Sequence, residues 1–123
     1  MSGLTLDTGA LIALERCDRR TMLLVDRRRP AGTLTVPTAV LAEWWQGQPR
    51  ARAILDGLVV EPLSERVAKI AGQARAATGS IVSAVDAIVM ASAAQRGDVV
   101  LTSDVPDLER LRAVFRDVRL LRA

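Results

Sequence analysis

Four carboxylates, Asp7, Glu43, Asp86 and Asp104, are the residues in this chain best suited to chemistry. Carboxylates are hard oxygen donors that suit Mg²⁺ or Mn²⁺, and divalent ions held this way bind phosphate, activate water and stabilise a leaving oxygen. The composition leaves few alternatives. There is no histidine and no tyrosine, which excludes a Ser-His-Asp triad, a Cys-His dyad, a histidine base and histidine zinc ligands. Two carboxylates at about 4 Å repel by roughly 4 kcal/mol at an effective dielectric near 20, so a native acidic cluster needs a compensating cation.

The elements that must position these acids alternate strand and helix. Leu4 to Leu6 reads as a strand and Ala10 to Leu14 as a buried helix, with Asp7-Thr8-Gly9 the hinge between them. Arg19 to Arg28 follows as a helix with Met22, Leu23, Leu24 and Val25 inward, running into a Pro30-Ala31-Gly32 turn. Thr33 to Val36 is a β-branched strand, and Pro37 opens a helix reaching Gly47 whose apolar stripe is Val40, Leu41, Trp44 and Trp45. Pro49 to Asp56 is a short helix, Gly57 to Pro62 a strand, and Ser64 caps a helix through Ala77. Ser83 to Ala94 is the most apolar helix, with Asp86 in its first turn; Val99 to Thr102 is a buried strand. Asp104 and Asp107 open a last helix through about Val114, and Asp117 to Leu121 forms an edge strand. Short connections between alternating elements predict an α/β fold with a doubly wound, largely parallel sheet.

Parallel strands share one carboxyl edge. Asp7 and Asp104 each follow a strand, and Asp86 begins a helix that returns from that edge to the next strand. Glu43 lies in a helix that leaves the same edge. Capping accounts for Asp7, Asp104 and Asp107 singly, and Ser83-x-x-Asp86 resembles a capping box. Capping does not account for Glu43, which has to reach solvent, a basic partner or a cation. Nor does it require all of them at one edge, so the metal reading is preferred.

The 123 residues suit one domain, half of them hydrophobic and 2% aromatic, so the core is built from Ala, Val, Leu and Ile. A single cysteine, Cys17, excludes an internal disulfide. No secretory pattern follows Met1, and the near-apolar run Ile81 to Ala94 is shorter than the ~18 residues of a membrane span, so the expected address is the cytoplasm. The net charge is +3, and every basic residue but Lys69 is arginine. Arginine suits phosphate, but a G·C-rich genome also favours it. Arg27 to Arg29 read either as a solvated helix end or as a phosphate grip, with Arg50 and Arg52 as further candidates.

The sequence resembles the PIN-domain ribonucleases, most closely the VapC-type toxins of type II toxin–antitoxin pairs. Leu6-Asp7-Thr8-Gly9 through Leu14 is similar to the family's opening motif, with Gly9 where many members have serine. Val36-Pro37 to Glu43, Asp86-Ala87 through Ala93, and Thr102-Ser103-Asp104 with Asp107 are similar to its other acidic motifs. The resemblance implies one PIN domain over residues 1–123, a three-layer α/β/α fold with four to five strands, and a Mg²⁺- or Mn²⁺-dependent endoribonuclease. It implies that Asp7, Glu43, Asp86 and Asp104 are at once the metal ligands and the catalytic residues, with in-line hydrolysis leaving a 5′-phosphate and a 3′-hydroxyl. Thr8, Thr102 and Ser103 would hydrogen-bond the carboxylates or the scissile phosphate. It also implies an RNA substrate, an antitoxin partner and a homodimer, with Trp44 and Trp45 as candidate surface anchors and no membrane association. The competing reading is a non-catalytic PIN-like module that binds RNA or protein.

Overall fold

The computed structural model describes residues 3–30 and 32–123; Met1, Ser2 and Ala31, the last within the expected turn, lie outside the described residues. Among the described residues five strands form one sheet: β1 (Leu4–Leu6), β2 (Leu34–Pro37), β3 (Val59–Glu61), β4 (Val99–Thr102) and β5 (Leu120–Arg122). Their spatial order is β3-β2-β1-β4-β5, and all neighbours are parallel. The helices described between them are α1 (Thr8–Glu15), α2 (Arg19–Arg28), α3 (Thr38–Trp44), α4 (Ala51–Asp56), α5 (Glu65–Ala77), α6 (Ala84–Arg96) and α7 (Val105–Leu111).

The strand order fixes where a ligand site can lie. From β1 the chain steps outward to β2 and β3, then crosses to the other side of β1 for β4 and β5. Right-handed crossovers therefore put α1 to α4 on one face and α5 to α7 on the other, the expected three-layer arrangement. The reversal opens a crevice beyond the carboxyl ends of β1 and β4, the usual binding position in such sheets. Leu4, Leu6, Val36, Val100 and Leu101 are buried in the sheet, and α6 contributes an unbroken buried run from Ala87 to Ala93. Small residues at Ala87, Ala91 and Ala93 let that helix lie close to the strands, and Gly97 ends it in the left-handed conformation at φ 70°.

Several elements depart from expectation. On α2, Thr21 and Val25 face inward, whereas Met22 and Leu23 are exposed. α3 stops at Trp44 because Trp45 turns extended and Gln48 Nε2 donates to the freed Trp44 carbonyl at 3.1 Å. Trp44 is consequently core and only Trp45 stands at the surface, 41% exposed. α7 ends at Leu111, short of Val114. Among the described residues no helix is long and apolar enough to cross a membrane.

Candidate metal centre

Asp7, Glu43, Asp86 and Asp104 are each carried by a different element. Asp7 terminates β1 and is the N-cap of α1: Oδ1 accepts from Ala10 N at 2.8 Å, satisfying one of the helix's open donors. Its other oxygen, Oδ2, accepts from Thr102 Oγ1 at the end of β4. The Thr102 hydroxyl also accepts from Asp104 N at 2.8 Å. One buried hydroxyl thus ties the carboxylate of Asp7 to the backbone that carries Asp104. Asp104 is the N-cap residue of α7 by position, and its carboxylate interacts with the backbone and side chain of Asp107 in the opening turn.

Asp86 is half-buried at the start of α6, where Ser83 Oγ accepts its backbone N–H at 3.0 Å. Ser83 also meets the Asp86 side chain, a contact that lowers the carboxyl pKa without offsetting burial. Carboxylate oxygens of Asp86, Asp104 and Asp107 all lie within 4.8 Å of one another. Asp107 joins the trio although capping alone would account for its place in the sequence. Its signal was the i, i+3 spacing from Asp104, which places both on one side of α7's opening turn.

Asp7 and Glu43 stand just outside this trio. Glu43 lies in the last turn of α3, exposed, and its Oε1 accepts from Thr8 Oγ1 at 2.6 Å, so the hinge after β1 holds two acids at once. A second clamp joins the same helices, since buried Trp44 donates its indole N–H to Glu15 Oε1 at 3.0 Å.

Charge in the site is uncompensated from within the described residues. No ion pair involves any of the five acids. Burial pushes the Asp7 carboxyl above its ordinary range, opposed by its bonds from Thr102 and Ala10 and reinforced by repulsion from Asp104 and Glu43. Asp86 is raised to about 6, first by burial and then by Asp104, with smaller contributions from Asp7 and Asp107. Asp104 is raised by desolvation and by Asp107. Oxygen-only donors, mutual repulsion and the absence of a basic partner fit a hard divalent cation.

Gly9 explains its own lack of a side chain. A Cβ there would come within 1.7 Å of Ser103 Oγ and 2.8 Å of Ser103 Cβ, so the Ser103 side chain fills the space beside Asp7.

A family model for the PIN domain matches residues 4–113. The chain belongs to the PIN domain family. Solved structures share the PIN fold closely. A chain of VapBC2 from Rickettsia felis, bound to a DNA fragment from their promoter, gives a TM-score of 0.81 over 98% of each chain at 15% identity. A chain of FitAcB from Neisseria gonorrhoeae gives 0.71 over 96% of each at 21% identity, and one from a toxin–antitoxin complex of Klebsiella pneumoniae 0.69 over 95% of each at 21%. No curated protein matches the PIN domain chain in sequence.

Proposed function

We propose that this PIN domain, residues 1–123, is a cytoplasmic VapC-type toxin, a Mg²⁺- or Mn²⁺-dependent endoribonuclease held in check by a cognate antitoxin. The observation that carries the reading is the unpaired acidic trio Asp86, Asp104 and Asp107, flanked by Asp7 and Glu43, in the crevice where the sheet order reverses. The toxin assignment is supported by the fold's likeness to chains from VapBC2, FitAcB and a toxin–antitoxin complex. A homodimer is part of the same proposal.

Asp7, Glu43, Asp86 and Asp104 would hold one or two ions, with Asp107 as a further donor. The chemistry such ions supply is charge stabilisation at the scissile phosphate and a lowered pKa for the attacking water. Thr102 and Ala10 N keep the Asp7 carboxylate in one orientation, and Thr8 does the same for Glu43. Asp86, raised to about 6, is ionised and ready to receive a cation near neutral pH.

The test is cleavage of total cellular RNA by the partner-free protein in Mg²⁺, in Mn²⁺ and in EDTA, beside folded Asp7→Asn. Fragments that require the metal and disappear with Asp7→Asn are expected. RNA of the protein's own host left intact, with no metal bound, would instead make this a non-catalytic binding module.

A further inference from the structure

Resting on the ribonuclease reading, we propose that Arg16 is a substrate-binding residue that grips an RNA phosphate beside the acidic crevice. Two open grooves flank α1. One, of about 370 Å³, includes Glu43 in its wall; the other, of about 450 Å³, includes Gly9 and Ser103. Ile12 and Arg16 line both, and among the described residues Arg16 is the only cation in either lining.

The acids around Arg16 already have partners. Glu15 accepts from Trp44 and Gln48, Asp18 accepts from the backbone and hydroxyl of Thr21, and Glu43 accepts from Thr8. Among the described residues the Arg16 guanidinium has no hydrogen bond or ion pair, and the residue is exposed. Two other arginines near α1 are engaged: Arg50 donates to the Glu15 carbonyl at 2.6 Å and to Cys17 sulfur at 2.7 Å, and Arg29 donates to the Gly57 carbonyl at 3.1 Å.

Distance and charge then favour a polyanion. A helix rises about 1.5 Å per residue, so Arg16 lies roughly 10 Å along α1 from Gly9. A stacked strand rises about 3.4 Å per nucleotide, which places the guanidinium some three steps from the crevice. RNA approaching a cluster of carboxylates needs a nearby cation to offset repulsion, and arginine's planar fork suits a phosphate. Gly9, Ile12 and Ala13 of α1 line the same groove as Arg16. At the C-cap of α1, Arg16 also complements the helix dipole. That role predicts a change in melting temperature without a change in RNA binding.

The experiment measures binding of a fluorescein-labelled, mixed-sequence 20-nucleotide single-stranded RNA by anisotropy across NaCl concentrations. Asp7→Asn protein in Mg²⁺ serves as the non-cleaving parent. Adding Arg16→Ala is expected to weaken binding about 5- to 10-fold at low salt and to flatten the log–log salt slope by about 0.7, one phosphate contact on a single strand. Arg16→Lys should restore most of the slope, and Arg66→Ala on α5 should change neither value. Equal affinity and slope for parent and Arg16→Ala, including no binding by either, overturns the assignment. The ribonuclease reading stands or falls separately, on whether wild-type protein cleaves cellular RNA.

Discussion

Thr102 donates its hydroxyl to Asp7 although the two lie 95 residues apart in sequence, and the contact joins the ends of β1 and β4. Both residues are buried, Thr102 completely and Asp7 to 4% exposure. Because the same hydroxyl receives Asp104 N, its loss affects two acids. Thr102→Val keeps the shape and leaves a buried acceptor with one partner fewer, a cost of about 1–3 kcal/mol. Chemical denaturation should show that loss, and metal-dependent cleavage should fall at least 10-fold. Thr102→Ser should recover both.

The acidic site should make the metal-free fold less stable as pH rises. Asp7, Asp86 and Asp104 have carboxyl pKa values raised on folding, Asp86 from 3.8 to about 6. A raised acid binds its proton more tightly folded than unfolded, so its contribution is fully present below 3.8 and is lost as pH climbs through about 6. Asp18, whose pKa is lowered by its bonds to Thr21, acts in the opposite sense, but only below its ordinary value of 3.8. Metal-free protein should therefore melt several degrees lower at pH 7.5 than at pH 5. Asp86→Asn should narrow that gap and raise the melting temperature at pH 7.5, while abolishing activity. An unchanged gap would show that Asp86 is not strained by its surroundings.

Gly9 and Ser103 should behave as a coupled pair. A Cβ at position 9 meets both side-chain atoms of Ser103, and overpacking of this kind costs typically about 1–3 kcal/mol. Gly9→Ala should destabilise by that order, and Ser103→Gly in the same protein should recover most of the loss. Simple addition of the two effects in a double-mutant cycle would contradict the close approach.

The clamp from Trp44 to Glu15 steadies the last turn of α3, where Glu43 sits. Trp44→Phe removes the indole donor while retaining an aromatic ring. It should cost about 1–2 kcal/mol and weaken Mn²⁺ binding several-fold through the misplacement of Glu43. Glu15→Gln, which keeps an acceptor, should have a smaller effect. Loss of stability with unchanged Mn²⁺ affinity would make the clamp structural only.

Local chemistry made much of this fold legible. Asp7, Ser64 and Ser83 act as helix caps, as their residue types and spacing predict. The arrival of the acids at one edge followed from parallel topology alone. What remained hidden depends on contacts distant in sequence. The inward face of α2 is set by where the helix docks, so Val25 goes in and Leu23 stays out although both are apolar. The stop of α3 depends on Gln48 reaching back to Trp44, and the Thr102 bridge requires β1 and β4 to be neighbours. Arginine number likewise says nothing about which guanidinium groups are engaged; among the described residues Arg50 and Arg29 have partners, whereas Arg16 has none.

The most direct test of the central claim, that these carboxylates form one metal site, is calorimetric titration of partner-free protein with Mn²⁺ in the absence of RNA, at pH 5 and at pH 7.5. The structure predicts saturable binding at pH 7.5, much weaker binding at pH 5 as protons compete for Asp86, and its loss in folded Asp86→Asn and Asp7→Asn proteins. Absence of binding at pH 7.5, or binding that survives both substitutions, would contradict it.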